Sequence, residues 1–313
     1  MSTSPENLVP AALIAENKSD PIRRIALALN TLNSEERAHN LGQVITAIRE
    51  DDTDRLAVNR PDDIVAAAAV GEGWESRVPV PVGESGTLFR IFSYFDEDEY
   101  QTWHSWPHRT FLRTGTLRTR PITPAAEIYR LPQAELLKVD NGTSQYATAA
   151  VLCGDSERLA NAPYRLQQTY DIYDSWLGNG RQLDWSAPLI EDETIRLQAE
   201  AMARLALGKG LDFEVRHSED VPLGIAFGLI SLDEAAQRFP SVIGHESNRI
   251  VEMRRGLELY KNGVAIDSPD HRVVQALTLL ALAQEKPITV TNLGCVAKSW
   301  PLFYDFVSFL KAQ

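Results

Sequence analysis

Several stretches of the chain set charged side chains beside the start of a helical pattern. Lys18-Ser19 stands ahead of one such pattern, with Arg23 one turn in, and Gly83-Glu84-Ser85-Gly86-Thr87 ahead of another, with Arg90 near its first turn. In the C-terminal stretch, His245-Glu246-Ser247-Asn248-Arg249 opens a helix, Asp270-His271-Arg272 opens a second, and Cys295-Val296-Ala297-Lys298-Ser299-Trp300-Pro301 precedes a third. The first turn of a helix leaves its N–H groups unpaired and presents the positive end of the dipole. An arginine there offers a planar fork to two oxygens, and a lysine adds a compact charge. Together these make a cradle for a phosphate or carboxylate. Each stretch alone is equally well read as a solvated charge beside an ordinary helix cap.

The order of the stretches says more than any one of them. The three C-terminal segments resemble, in sequence order, a Lys-Glu-Ser/Thr-Asp-Arg, an Asp-His-Arg and a Cys-x-x-Lys-Ser/Thr-Phe-Pro segment of the EPSP synthase family, the enolpyruvyl transferases of the shikimate pathway. Lys18-Ser19-x-x-x-Arg23, Gly83 to Arg90, Leu117-Arg118-Thr119-Arg120-Pro121, Thr143-Ser144-Gln145-Tyr146 and Ala162-Pro163-Tyr164 are similar to further segments of that family. The resemblance runs from about residue 17 onward. It implies phosphoenolpyruvate, or a similar anion, held among Lys18, Arg90, Arg120, Gln145, Arg249, Arg272 and Lys298. It also implies a shikimate-like phosphate on Ser19, Arg23, Thr143, Ser144, Gln145 and Tyr164. Glu246, Lys18 and His271 take the catalytic positions. No cofactor or metal is implied.

The resemblance breaks at informative places. Where the family has Ile/Leu-Pro-Asp-Ala, this chain reads Val221-Pro222-Leu223-Gly224. A leucine can neither accept a hydroxyl proton nor hold a sugar-like ring. His245 stands for a lysine and Asn248 for an aspartate, and the chain is shorter than family members. The contacts to phosphoenolpyruvate are therefore kept better than those to the acceptor. Two readings follow: an enolpyruvyl transferase-like enzyme with another acceptor, or a related elimination, that does not serve housekeeping EPSP synthesis; or an inactive paralogue that binds an anion or a partner protein.

The elements that must position these residues alternate between helix and short strand. Helical spacing of apolar residues marks 22–32, 41–49, 194–207, 229–238, 249–260, 271–283 and 300–310, with 87–94, 124–130 and 144–152 as shorter candidates; the Ala-rich run 63–70 reads as either a helix or a buried strand. Val78-Pro79-Val80-Pro81-Val82 is extended, because each proline pushes its predecessor out of the α region. The β-branched run Ile288 to Leu293 predicts a strand. The pattern favours an α/β (or α+β) class. The resemblance implies two domains of βαβαββ units around an interdomain cleft, one domain reduced: 20–185 with the acceptor-side contacts, and 1–19 plus 186–313 with the Glu246, His271 and Lys298 segments. Reduction would uncover apolar surface, for which homodimerisation is one remedy.

Bulk properties are consistent with this. The chain has 313 residues, 44% hydrophobic and 24% charged, enough to bury a core without staples. A formal charge of −12 argues against nucleic acid as partner. Two cysteines, Cys153 and Cys295, build no disulfide framework and no CxxC metal site. The polar stretch from Met1 to Asn17 and the lack of a long apolar run predict neither a secretory leader nor a membrane span, hence a cytoplasmic location.

Overall fold

The computed structural model describes residues 8–15, 19–29, 39–44, 46, 60–73, 80–89, 91, 111–113, 131–132, 134–135, 157, 167–180, 182–184, 193–210, 213–216, 218–243 and 247–313. The chain divides into two compact units, one of residues 17–192 and the other of 1–16 with 193–313.

In the first unit, α1 (Ser19–Leu29) buries Ile22, Ile25, Leu27 and Ala28. It packs against α2 (Asp62–Gly73) and α3 (Gln167–Gly178). Strand β1 (Val80–Gly83) runs parallel to β2 (Phe111–Arg113), with Val80 opposite Phe111. Gly83 ends β1 at φ +55°, a left-handed turn that glycine tolerates. Ser85 then caps the short helical stretch 86–89: its Oγ accepts the Leu88 N–H at 3.2 Å and donates its own proton to Asp63. The Gly83–Thr87 stretch is thus a strand–turn–helix, as the sequence suggests.

The second unit is helical, and its centre is one helix. It holds α4 (Glu193–Ala206), α5 (Val221–Ala226), α6 (Leu232–Arg238), α7 (Arg249–Lys261), α8 (His271–Ala283) and α9 (Phe303–Lys311). Helix α8 is buried on every side from Val273 to Ala281, the mark of a central helix. Val274, Ala276 and Leu279 join a cluster with Met202 and Ala203 of α4 and with Trp300, Phe303 and Phe306. Val273, Leu277 and Leu280 join a second cluster with Val221 and Ile225 of α5, Ala235 of α6 and Met253 of α7. Trp300 stacks on Phe306 with ring centroids 4.6 Å apart, and its Nε1 donates to the Leu13 carbonyl at 2.8 Å. The segment 8–15 is tied in again by Glu200, whose carboxylate accepts the N–H groups of Leu8 (3.0 Å) and Val9 (2.9 Å).

The described residues hold less strand than an α/β class leads one to expect. The run Ile288 to Leu293 is not a strand. It makes one parallel bridge, Val290 to Ile266, closed by Ile266 N–H to Thr289 O and Thr291 N–H to Ile266 O. The pairing stops because Leu293 begins a 3-10 turn (Leu293–Lys298) while the partner segment bends into the α8 cap. Helix α3 and helix α5 were not marked by the sequence pattern. The candidates at 124–130 and 144–152 lie outside the described residues.

Candidate functional site

Of the residues singled out in sequence, Arg249, His271, Arg272 and Lys298 are described in the second unit, and Ser19 and Arg23 on α1 in the first. Arg23 is buried there, as is Arg24 beside it. Lys18, Arg90, Arg120, Thr143, Ser144, Gln145, Tyr164 and Glu246 lie outside the described residues.

The N-terminus of α8 is a knot of polar groups. Asp270 is its N-cap: Oδ1 accepts the Arg272 N–H at 3.0 Å, satisfying one of the orphan donors of the first turn. Its other oxygen, Oδ2, accepts the Ser247 hydroxyl at 2.5 Å and Arg249 Nε at 3.2 Å. The Asp270 backbone N–H donates to Ser268 Oγ at 3.3 Å, and that hydroxyl donates to Glu252 at 2.8 Å. Arg249 and Asp270 are 5% and 0% exposed, so this is a fully desolvated ion pair. A second Arg249 nitrogen donates to the Ser218 carbonyl at 3.4 Å. Arg249 is thereby committed to its own fold, one fork to a carboxylate and one to a turn.

Arg272 is held less tightly. Its Nη2 donates to Glu219 at 3.3 Å, with the two side chains 11% and 34% exposed. Glu219 sits in the turn 218–220 ahead of α5, anchored at Asp220. That carboxylate accepts Gln198 Nε2 at 2.7 Å and the Arg216 N–H at 3.1 Å. One turn further along α8, Gln275 is buried and donates to Ser299 Oγ at 3.3 Å, while its Oε1 has no hydrogen-bond partner. Ser299 follows Lys298, which is half-buried at the end of the 3-10 turn packed on α8. His271 is buried at 3% exposure. So Arg249, His271, Arg272 and Ser299 share the N-terminal half of α8 and what packs on it. Among the described residues no three His, Cys, Asp or Glu side chains are placed to hold a metal ion.

Sequence reasoning assigned nothing to Glu219, Gln275 or Ser218. Only the ion pair to Arg272 singles out Glu219, since one acidic residue in a run of Ser-Glu-Asp carries no pattern. Leu223 is 3% exposed and belongs to the core cluster of α4, α8 and α9. It is a core side chain. No helix among the described residues is long and apolar enough to cross a membrane.

Comparison with known proteins adds one match. Residues 245–307 match the family model of EPSP synthase (3-phosphoshikimate 1-carboxyvinyltransferase). The matched stretch takes in the Ser247–Arg249 segment, all of α8, the Leu293–Lys298 turn and the start of α9. No curated protein and no solved structure matches the chain.

Proposed function

We propose, from the premise that residues 245–307 form an EPSP synthase-type segment, that the protein is an enolpyruvyl transferase-like protein with an anion site at the head of α8. The observation that carries this reading is the coincidence of that match with Arg272, a mostly buried cation in the first turn of α8; Lys298, half-buried on the 3-10 turn that packs on α8, is a second cation within the matched stretch. A guanidinium at 11% exposure interacts with an anion more strongly than a solvated one, because water screens it less. Phosphoenolpyruvate fits this chemistry, with a phosphate and a carboxylate for Arg and Lys to hold. A shikimate-like cyclitol or its phosphate is the acceptor that the resemblance implies. Transfer needs a proton delivered to the methylene carbon and another removed from the attacking hydroxyl. Glu246 and Lys18 are the groups that the resemblance offers for these steps, with His271 beside them in sequence order.

A second reading draws on Leu223. The family carries an aspartate at the matching position, and here that side chain is part of the core. Losing a general base costs about 10²–10⁴-fold in rate. Housekeeping EPSP synthesis is therefore not the function proposed. A different acceptor, a related elimination or a purely binding role remains.

Calorimetry with phosphoenolpyruvate, shikimate and shikimate 3-phosphate, singly and paired, is the test. Binding of phosphoenolpyruvate that is lost in Arg272→Gln supports the anion site, and absence of binding by any of the three sinks it. Turnover of a pair, or its absence, separates the enzyme from the binding protein. Growth of a strain lacking EPSP synthase, dependent on Glu246, would return the protein to the plain family activity.

A further inference from the structure

Gln275 is out of place by residue type. It is 1% exposed, and its neighbours Val274, Ala276 and Leu277 on α8 all belong to the apolar core. Its Nε2 donates to Ser299 Oγ at 3.3 Å, while among the described residues its Oε1 has no hydrogen-bond partner. A buried acceptor left unpaired costs stability, and a methionine of similar volume would fill the place without one. Packing alone therefore does not account for the amide. Its contact leads to the second cation of the matched stretch: Ser299 is itself buried and stands directly after Lys298, at the end of the 3-10 turn. Gln275 follows Arg272 by three residues, so the two lie on the same side of the helix. Val296 and Trp300 share a core cluster with Val274 and Ala276. Such apolar packing presses the turn onto α8 but is non-directional. A hydrogen bond is directional, and this one fixes where along α8 the turn sits.

We propose that Gln275 is a positioning residue of the anion site: through the Ser299 hydroxyl it sets Lys298 against the head of α8, in register with Arg272. The inference rests on the anion site argued above and adds to it the residue that holds its two cations at a fixed spacing. A ligand with phosphate and carboxylate groups gains most from both cations when they stand at its own span before it arrives. Gln275 itself touches no ligand in this arrangement. It acts by sparing the Lys298 turn the ordering that binding would otherwise require.

The test uses the full chain as wild type, Gln275→Met, Ser299→Ala, Ser299→Thr and Lys298→Gln. Reductive methylation with isotope-labelled formaldehyde keeps each lysine charged and gives it a methyl resonance, and that of Lys298 is assigned by its absence in Lys298→Gln. Without ligand, Gln275→Met is expected to move this resonance toward those of the exposed Lys261 and Lys311. The urea midpoint should hold, because the change removes one unpaired acceptor and leaves Ser299 Oγ without its donor. Phosphoenolpyruvate, titrated by calorimetry into unmodified protein, should bind about 2- to 10-fold more weakly to Gln275→Met and Ser299→Ala, the span of one neutral hydrogen bond. Ser299→Thr keeps the hydroxyl and should bind as wild type does. An unmoved resonance or an unchanged affinity in Gln275→Met overturns the positioning role and leaves the anion site standing. Where the methionine lowers the midpoint, the serine variants decide: equal affinity of Ser299→Ala and Ser299→Thr overturns the role. If no protein binds phosphoenolpyruvate, wild type included, the anion site is overturned and the positioning role with it.

Discussion

Asp270 joins three neighbours in one carboxylate: the Ser247 hydroxyl, the Arg249 side chain and the backbone N–H of Arg272. Removing one partner of a buried pair leaves the other charged and without its counterion, which costs about 3–5 kcal/mol. Asp270→Ala should therefore lose about that much stability, and the urea midpoint reads it. Arg272→Gln should lose less, since that pair is less deeply buried. Tyr304 gives the second prediction at this scale. Burial, with the Cys295 thiolate beside it, pushes its hydroxyl up from 10.0 to about 12. A raised folded value means that the folded state keeps the proton longer than the unfolded chain. The contribution is whole below pH 10 and is lost as pH rises through about 12. Tyr304→Phe should flatten the fall in urea midpoint over that window. Near pH 7 it should be neutral or mildly stabilising, because among the described residues the hydroxyl has no hydrogen-bond partner. The residue types around α8 could be read in sequence, as Asp-His-Arg and Lys-Ser. Their pairing could not, because the partner of Arg272 lies 53 positions away and no local pattern marks it.

Helix α5 shows what the element scale adds. Residues Val221 to Gly224, which resemble the family's Ile/Leu-Pro-Asp-Ala segment in sequence alone, form a helix with proline in its first turn, a position that costs no backbone hydrogen bond. A six-residue helix has too few turns to show a period, and its apolar content reads equally as strand or turn. Gly224 packs so closely that an added Cβ would run into the Val215 γ-methyl and sit 3.1 Å from Ile230. Gly224→Ala gains about 1 kcal/mol of helix propensity and incurs about 1–3 kcal/mol of overpacking. It should therefore come out destabilising, by urea titration. An alanine at position 224 has no room in this helix as it is packed, and a carboxylate at position 223 would replace a core side chain. By contrast, α8 could be read to its bounds: Asp270 is a ready cap and an apolar-rich run of thirteen residues, broken only by His271, Arg272, Gln275 and Thr278, follows. The β-branched run at 288 misleads because β-propensity registers fit to a pleated surface, and here Val290 finds one bridge partner, Ile266.

The second unit is assembled from segments far apart in sequence. Leu8 bonds to a residue 192 positions on, and Trp300 to one 287 positions back. Val9 is buried in the same cluster as Met202 and Phe306. Glu200→Ala should unsettle this seam, since it leaves two backbone N–H groups without their acceptor. Each such bond to a charged group is worth about 1.5–3 kcal/mol. The unfolding midpoint should fall, and hydrogen exchange at Leu8 and Val9 should quicken while the amides of α8 stay protected. The resemblance puts breaks of the chain near residues 19 and 186, and the two compact units divide at 16 and 192. The grip of Glu200 on residue 8 could not be guessed, because a lone glutamate on an amphipathic helix looks like any solvated charge.

That seam also fixes an order of events on the ribosome. Residue 8 leaves the exit tunnel long before Glu200, and at about 5–20 residues per second the wait is roughly 10–40 s. Through that interval Leu8 and Val9 have no acceptor and no core to enter. The intervening 17–192 unit can fold in the meantime, and the nascent N-terminal segment is then available to chaperones or proteases that bind extended apolar chain.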